Sequence, residues 1–131
     1  MKEPLNILVV DDDTAHRNTL RMLLQAWGYA SKEAVDGENA VAMCMEQPVD
    51  LVLMDVYMPK KTGLDALKEI KIRKPALPVL IMSGFSDTEA ATVEAIKSGA
   101  YDYLAKPLDF EKLKGVLLSL SSAASSQGRF F

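Results

Sequence analysis

The sequence is poor in the residues that cross-link small domains or hold transition metals. Its 131 residues include one cysteine, Cys44, and one histidine, so an internal disulfide and a zinc site of the usual cysteine and histidine type are excluded. Lysine and arginine total 15 against 18 aspartates and glutamates, for a net charge of -3. Without a basic excess, nucleic-acid binding by this domain is not predicted.

Long apolar segments are also missing. No stretch reaches the roughly 20 apolar residues that span a bilayer, and residues 1–4 are not followed by the apolar core of a signal peptide. With 49% hydrophobic and 25% charged residues, the composition is typical of a globular domain. We therefore expect one cytoplasmic domain that does not contact membranes.

Short apolar runs alternate with longer amphipathic segments along the chain. Three of the runs are rich in branched residues and stop at polar ones, at residues 5–10, 51–54 and 78–82. Runs of this kind predict strands that are covered on both faces, as in a parallel sheet. Two weaker strands are predicted at residues 30–35 and 101–104.

Helical periodicity fills the segments between these strands and follows the last one. Capping residues are predicted at three helix starts: Asp13 or Thr14, Ser86 with Glu89, and Asp109. The alternation predicts an α/β fold of the flavodoxin-like type, a (βα)5 doubly wound parallel sheet with strand order 2-1-3-4-5. The serine-rich residues 121–131 lack periodicity and are predicted to form a flexible tail or linker stub, so that the domain spans residues 1–120.

Polar side chains stand where the predicted strands end. Asp11 and Asp12 follow the first strand, Asp55 the third, Ser83 the fourth and Lys106 the fifth. In a parallel sheet of this order, ligands bind at the carboxyl ends of strands one and three, where the strand order reverses. We therefore expect these five side chains to converge.

Converging carboxylates repel, by on the order of 4 kcal/mol for two charges about 4 Å apart at an effective dielectric near 20. A divalent cation removes that repulsion, and hard oxygen ligands favour magnesium over zinc. Lys106 adds a positive charge, and Ser83 adds a hydrogen-bond donor. These groups suit the oxygens of a phosphoryl group in transfer, with a carboxylate oxygen of Asp55 as the nucleophile.

Four blocks of the sequence resemble the signature of response-regulator receiver domains: residues 8–12, 54–59, 82–83 and 103–107. The resemblance extends over about residues 5–120. Two further segments, residues 27–29 and 99–103, resemble receivers of NtrC-type sigma-54-dependent transcription activators.

The resemblance implies that a sensor histidine kinase phosphorylates Asp55. Such a domain is a phosphoacceptor that assists its own phosphorylation and dephosphorylation, not an enzyme for other substrates. The resemblance also implies that Asp12, Asp55 and the backbone carbonyl of Tyr57 ligate magnesium directly, while Asp11 acts mainly through water.

The remaining implied roles concern signalling. Ser83 and Lys106 would bind phosphoryl oxygens, and Tyr103 would turn inward when Ser83 moves towards the phosphate. The Lys106–Pro107 peptide bond would be cis. The output surface would switch, a homodimer would form through the face of helices four and five, and the output would be regulation of transcription.

Other interpretations stay open at this point. A small magnesium-dependent phosphatase of the haloacid dehalogenase type also uses an aspartyl phosphate, although residues 11–15 miss the last position of its motif. A flavin-binding electron carrier of the same fold would need a hydroxyl- and glycine-rich loop after the first strand. Tyr103 could be a static half-buried aromatic, and His16 is predicted to be an exposed helix residue.

Overall fold

The computed structural model of the protein describes residues 5–56, 58, 61–84 and 89–129. Strands and helices alternate strictly along these residues, in the order β1 (Asn6–Val10), α1 (Thr14–Ala26), β2 (Ala30–Ala34), α2 (Gly37–Glu46), β3 (Leu51–Asp55), α3 (Gly63–Arg73), β4 (Val79–Ser83), α4 (Glu89–Lys97), β5 (Asp102–Ala105) and α5 (Phe110–Arg129). The five strands form one parallel sheet in the order β2-β1-β3-β4-β5. The predicted (βα)5 fold and its strand order are confirmed.

The strand ends differ slightly from the prediction, and the difference concerns two site residues. Strand β3 extends one residue further, to Asp55, and β4 is shifted by one residue along the chain, so that it ends at Ser83. Asp55 pairs with Met82 in the β3–β4 ladder, and Ser83 pairs with Ala105 in the β4–β5 ladder. Both polar residues therefore belong to the regular sheet, and ladder pairing fixes the position of their backbones.

The sheet is covered on both faces, as the continuous apolar runs predict. On one face the strands pack against α1 and α5, with Leu24 and Leu113 in the shared cluster. On the other face they pack against α2, α3 and α4, and Cys44 is buried there as a packed free thiol. Burial of the apolar strand side chains stabilises the fold by about 25 cal/mol per Å² of apolar surface removed from water. This packing fixes the orientation of the sheet and therefore the position of its carboxyl edge.

Helix capping decides how the chain leaves the sheet edge. The side chain of Asp13 accepts hydrogen bonds from the backbone N–H groups of Ala15 and His16, at 2.9 and 3.3 Å. The N-cap of α1 is therefore Asp13 and not Thr14. Asp109 likewise accepts two backbone N–H groups at the start of α5. The predicted cap Ser86 lies outside the described residues.

Helix α5 continues to Arg129 and so runs through most of the segment that composition assigns to a tail. The division of the chain at residue 120 stays a prediction. Among the described residues, none of the helices combines the length and the apolar character that a membrane span requires.

Gly63 lies at a close approach between α3 and the end of β3. A Cβ atom at this position would lie 2.1 Å from the backbone oxygen of Asp55 and 2.9 Å from the Cα of Val56. The N–H of Gly63 donates to the carbonyl of Val56 at 2.7 Å. Helix α3 can therefore begin beside Asp55 because residue 63 has no side chain.

This close approach predicts the effect of adding one methyl group. Gly63→Ala should lower the free energy of unfolding by about 1–3 kcal/mol, because α3 and the end of β3 must separate. Gly115→Ala in α5 is the matched control, since a Cβ there meets no atom within 4 Å, and it should raise that free energy by roughly 0.5–1 kcal/mol. Urea denaturation measures both, and equal effects would contradict the close approach.

Candidate functional site

Three carboxylates meet at the carboxyl ends of β1 and β3. Asp11 and Asp12 directly follow β1, and Asp55 ends β3. One carboxylate oxygen from each of the three lies within 4.8 Å of the others. Asp11 and Asp55 are buried, with 0% and 7% of their surface exposed, whereas Asp12 is exposed. The cluster thus has a buried floor and one side chain that faces solvent.

Lys106 brings a positive charge into this cluster from the end of β5. Its Nζ donates to Asp55 Oδ2 at 2.7 Å and lies 3.6 Å from Asp11 Oδ2. Its backbone N–H donates to the carbonyl of Ser83 at 2.8 Å, and the Lys106–Pro107 bond is cis, as the resemblance implies. The pairing of β5 with β4 therefore brings the ammonium group of Lys106 close to the carboxylates of Asp11 and Asp55, which lie at the ends of two other strands.

The charges of these groups shift one another's ionisation. Burial alone would lower the pKa of Lys106, but the hydrogen bond and charge of Asp55, together with the charge of Asp11, raise it above its ordinary value. Burial alone would raise the pKa of Asp11, but hydrogen bonds from His16 and from the Asp13 backbone, and the charge of Lys106, hold it below its ordinary value. Both groups are therefore charged at neutral pH.

His16 does not lie where the sequence predicts. It was expected to be an exposed helix residue, but its side chain is only 23% exposed and its Nδ1 contacts Asp11 Oδ2. His16 lies in the first turn of α1, where its backbone N–H donates to the cap residue Asp13, and from this position its ring reaches Asp11. The sequence contains one indication of this contact: His16 follows Asp11 by five residues, and the predicted cap residue Asp13 lies between them.

Arg17 is a second residue that sequence reasoning missed. Its Nη1 donates to the backbone carbonyl of Asp11 at 2.7 Å, and its Nε donates to Glu33 at 3.1 Å. These bonds tie α1 and the end of β2 to the residue on which the acidic cluster is built. Arg17 therefore supports the backbone of the site, at a distance from its chemistry.

The remaining predicted site residues are Ser83, Tyr103 and Tyr57. Ser83 is buried at the end of β4, and its Oγ lies 3.4 Å from the hydroxyl of Thr92 on α4. Tyr103 is 39% exposed on β5, and the ammonium of Lys112 lies 5.5 Å from the centre of its ring. Tyr57 lies outside the described residues.

Comparison with known proteins identifies the family of this arrangement. The family model described as the response regulator receiver domain matches residues 7–118. The transcriptional regulatory protein ZraR of Salmonella typhimurium is 51% identical over 113 residues, which are 86% of this chain and 25% of that protein. An NtrX-like response regulator of Rickettsia bellii is 39% identical over 83% of this chain and 23% of its own length. The chain spans about a quarter of these curated relatives.

Solved structures agree with the sequence matches. A response regulator receiver domain protein from Clostridium thermocellum has a TM-score of 0.86 and 29% identity, over 94% of this chain and 98% of its own. NtrX from Brucella abortus in complex with ADP has a TM-score of 0.85 and 32% identity, over 97% of this chain and 29% of its own.

The raised pKa of Lys106 predicts a pH-dependent stability. The folded-state pKa lies above the unfolded value of about 10.4, so the stabilisation is complete below that pH and is lost as pH rises through the folded-state pKa. Lys106→Met should destabilise the metal-free protein at neutral pH by about 1–2 kcal/mol, because two carboxylates lose their cation. The difference should shrink above about pH 10.5.

Urea denaturation in the presence of a chelator measures this difference across the pH range. Lys97→Met is the matched control, because it removes the same charge from an exposed position in the last turn of α4. A Lys106→Met effect that stays constant to about pH 12, like an effect no larger than that of the control, would contradict the assignment.

Proposed function

Because this chain belongs to the response regulator receiver domain family of two-component systems, we propose that it accepts a phosphoryl group on Asp55, with magnesium held beside that residue. The observation that carries the proposal is the meeting of three carboxylates with the ammonium of Lys106 at one edge of the sheet. The phosphatase alternative is not favoured, since the receiver family accounts for residues 7–118.

The donor set fits magnesium. All three clustered ligand groups are carboxylates, and magnesium prefers hard oxygen ligands while keeping coordination positions for water and phosphate oxygens. Asp12 and Asp55 are the proposed direct ligands. Asp11 is proposed to act mainly through water, as the family resemblance implies, while its Oδ1 accepts a hydrogen bond from the Asp13 N–H at 2.9 Å and its Oδ2 contacts His16. The proposed carbonyl ligand of Tyr57 stays a prediction.

The proposed reaction transfers a phosphoryl group from a phosphohistidine of a sensor histidine kinase. An oxygen of Asp55 forms the new bond to phosphorus, the P–N bond to the kinase histidine breaks, and an acyl phosphate results. Bound magnesium would supply charge neutralisation for the phosphoryl oxygens. Lys106 already donates a hydrogen bond to Asp55. Its ammonium group can therefore bind the oxygens of a phosphoryl group on Asp55 without a large movement. The same groups would assist hydrolysis of the acyl phosphate.

The switch begins at Ser83 in this proposal. Its hydroxyl lies near Thr92 on α4 at 3.4 Å, and a phosphoryl oxygen on Asp55 offers a charged acceptor that makes a stronger hydrogen bond. Turning towards that oxygen would release Thr92, and Tyr103 would move inward from beneath Lys112. Phosphorylation would thus shift the population between two forms of the α4, β5 and α5 surface.

The wider role extends beyond the described chain. Because the matched residues make up only 25% and 23% of two curated relatives, regulation of transcription is proposed for a longer protein in which this domain receives the signal. A homodimer through the face of α4 and α5 is supported by exposed apolar side chains on both helices: Val93, Ile96, Phe110 and Leu118. The net charge of -3 gives no support to nucleic-acid binding by the domain itself, and its cytoplasmic location stays a prediction from sequence.

The proposed metal ligands predict the effect of removing one charge. Asp12→Asn should weaken magnesium binding at least about tenfold and should slightly stabilise the metal-free protein, because it relieves repulsion among the carboxylates. Asp13→Asn is the matched control: it removes a neighbouring charge, and asparagine caps a helix as well as aspartate does. Isothermal titration calorimetry with Mg²⁺ measures both, and equal losses would overturn the ligand assignment.

The proposed acceptor has a direct test. Incubation of the full chain with acetyl phosphate and Mg²⁺ should add one phosphoryl group, visible by intact-mass spectrometry, and Asp55→Asn should abolish the addition. Asp65→Asn, at an exposed position in the first turn of α3, should be phosphorylated normally. Addition that persists in Asp55→Asn would place the acceptor elsewhere.

A further inference from the structure

His16 makes a contact that neither the fold nor the capping of α1 requires. The cap of α1 uses its backbone N–H, which binds Asp13. Its ring makes a separate contact, from Nδ1 to Oδ2 of Asp11. This is the chain's only histidine, and Asp11 is a member of the acidic cluster. The ring therefore reaches the metal position through one carboxylate.

The direction of the hydrogen bond follows from the charge of Asp11. An ionised carboxylate only accepts hydrogen bonds, and the side chain of Asp11 is 1% exposed, so the contact with the ring satisfies a buried oxygen. The imidazole must therefore present a proton on Nδ1. With the backbone N–H of Asp13 on Oδ1 at 2.9 Å, protein donors then hold both oxygens, and the plane of the carboxylate is set.

Lys106 does not replace His16 in this role. Its Nζ lies 3.6 Å from Asp11 Oδ2 but 2.7 Å from Asp55 Oδ2, so its short hydrogen bond is made to Asp55. Without His16, the buried Oδ2 of Asp11 would lose its hydrogen-bond donor, and the ammonium group of Lys106 would move towards this oxygen to replace that donor. His16 would thus allow Lys106 to remain with Asp55.

We propose that His16 is a positioning residue of the metal site, whose Nδ1–H holds Asp11 in the orientation that supports magnesium and keeps Lys106 bound to Asp55. The inference rests on the proposed function of this site, because it assumes that magnesium is held beside Asp11. Among the described residues, the clustered groups that could hold a metal are the carboxylates of Asp11, Asp12 and Asp55, and His16 is not one of them.

The first test is magnesium affinity of the full chain, measured by titration calorimetry without a phosphoryl donor. His16→Leu should raise the dissociation constant about tenfold, the lower end of the range for groups that orient metal ligands. His16→Asn should restore binding, because its amide N–H can take the position of Nδ1. Thr19→Leu is the matched control on α1, since the hydroxyl of Thr19 donates to the Ala15 carbonyl of the same helix at 3.1 Å.

A double-substitution cycle separates positioning from a general effect on folding. If His16 acts through Asp11, His16→Leu should not weaken magnesium binding further in an Asp11→Ala background. Additive losses in the cycle, or an Asn variant that binds as poorly as the Leu variant, would overturn the inference.

The second test needs no substitution. Because the chain has a single histidine, a long-range ¹H–¹⁵N correlation spectrum reports its ring without ambiguity. The inference expects a protonated Nδ1, and an unprotonated Nδ1 would overturn it even if His16→Leu failed to fold.

The two levels of proposal fail differently. If the unsubstituted chain binds Mg²⁺ and is phosphorylated on Asp55, but His16→Leu binds Mg²⁺ equally well, the positioning role alone is wrong. If the unsubstituted chain does not bind Mg²⁺, the proposed function fails, and the positioning role fails with it.

Discussion

Repulsion among Asp11, Asp12 and Asp55 is the constraint on which the rest of the site depends. Three carboxylates with oxygens within 4.8 Å of one another must be separated, protonated or neutralised. In the metal-free protein Lys106 supplies the neutralising charge from β5, and the donors around Asp11 stabilise its charged form. The cluster is therefore stable without a metal, and the proposed phosphoryl transfer would use the same preorganised charges.

The apolar core supplies the rigidity that keeps these charges together. Strands β1, β3 and β4 are buried on both faces, so the backbones that carry Asp11, Asp55 and Ser83 cannot retreat from one another without exposing apolar surface. Gly63 allows α3 to pack against the end of β3. Hydrophobic burial thus opposes the electrostatic repulsion, and the balance is local to one edge of the sheet.

Hydrogen-bond donors at this edge are divided between the carboxylates. Lys106 donates to Asp55, whereas the ring of His16 and the backbone N–H of Asp13 bind Asp11. The side chain of Asp12 is exposed to solvent. A ligand that brings its own negative charge would redistribute these donors. Because Ser83 contacts α4 through Thr92, redistribution at the edge can reach the helix surface without any long chain of intermediates.

The sequence alone determined the strands, the strand order and the five polar residues at the strand ends, because apolar runs have a definite length and parallel strands share a carboxyl edge. Only the tertiary structure decided that His16 returns to Asp11, that Arg17 binds the Asp11 carbonyl and that Thr92 meets Ser83. These contacts depend on how each helix packs against the strand ends, and hydrophobic periodicity carries no information about individual polar contacts.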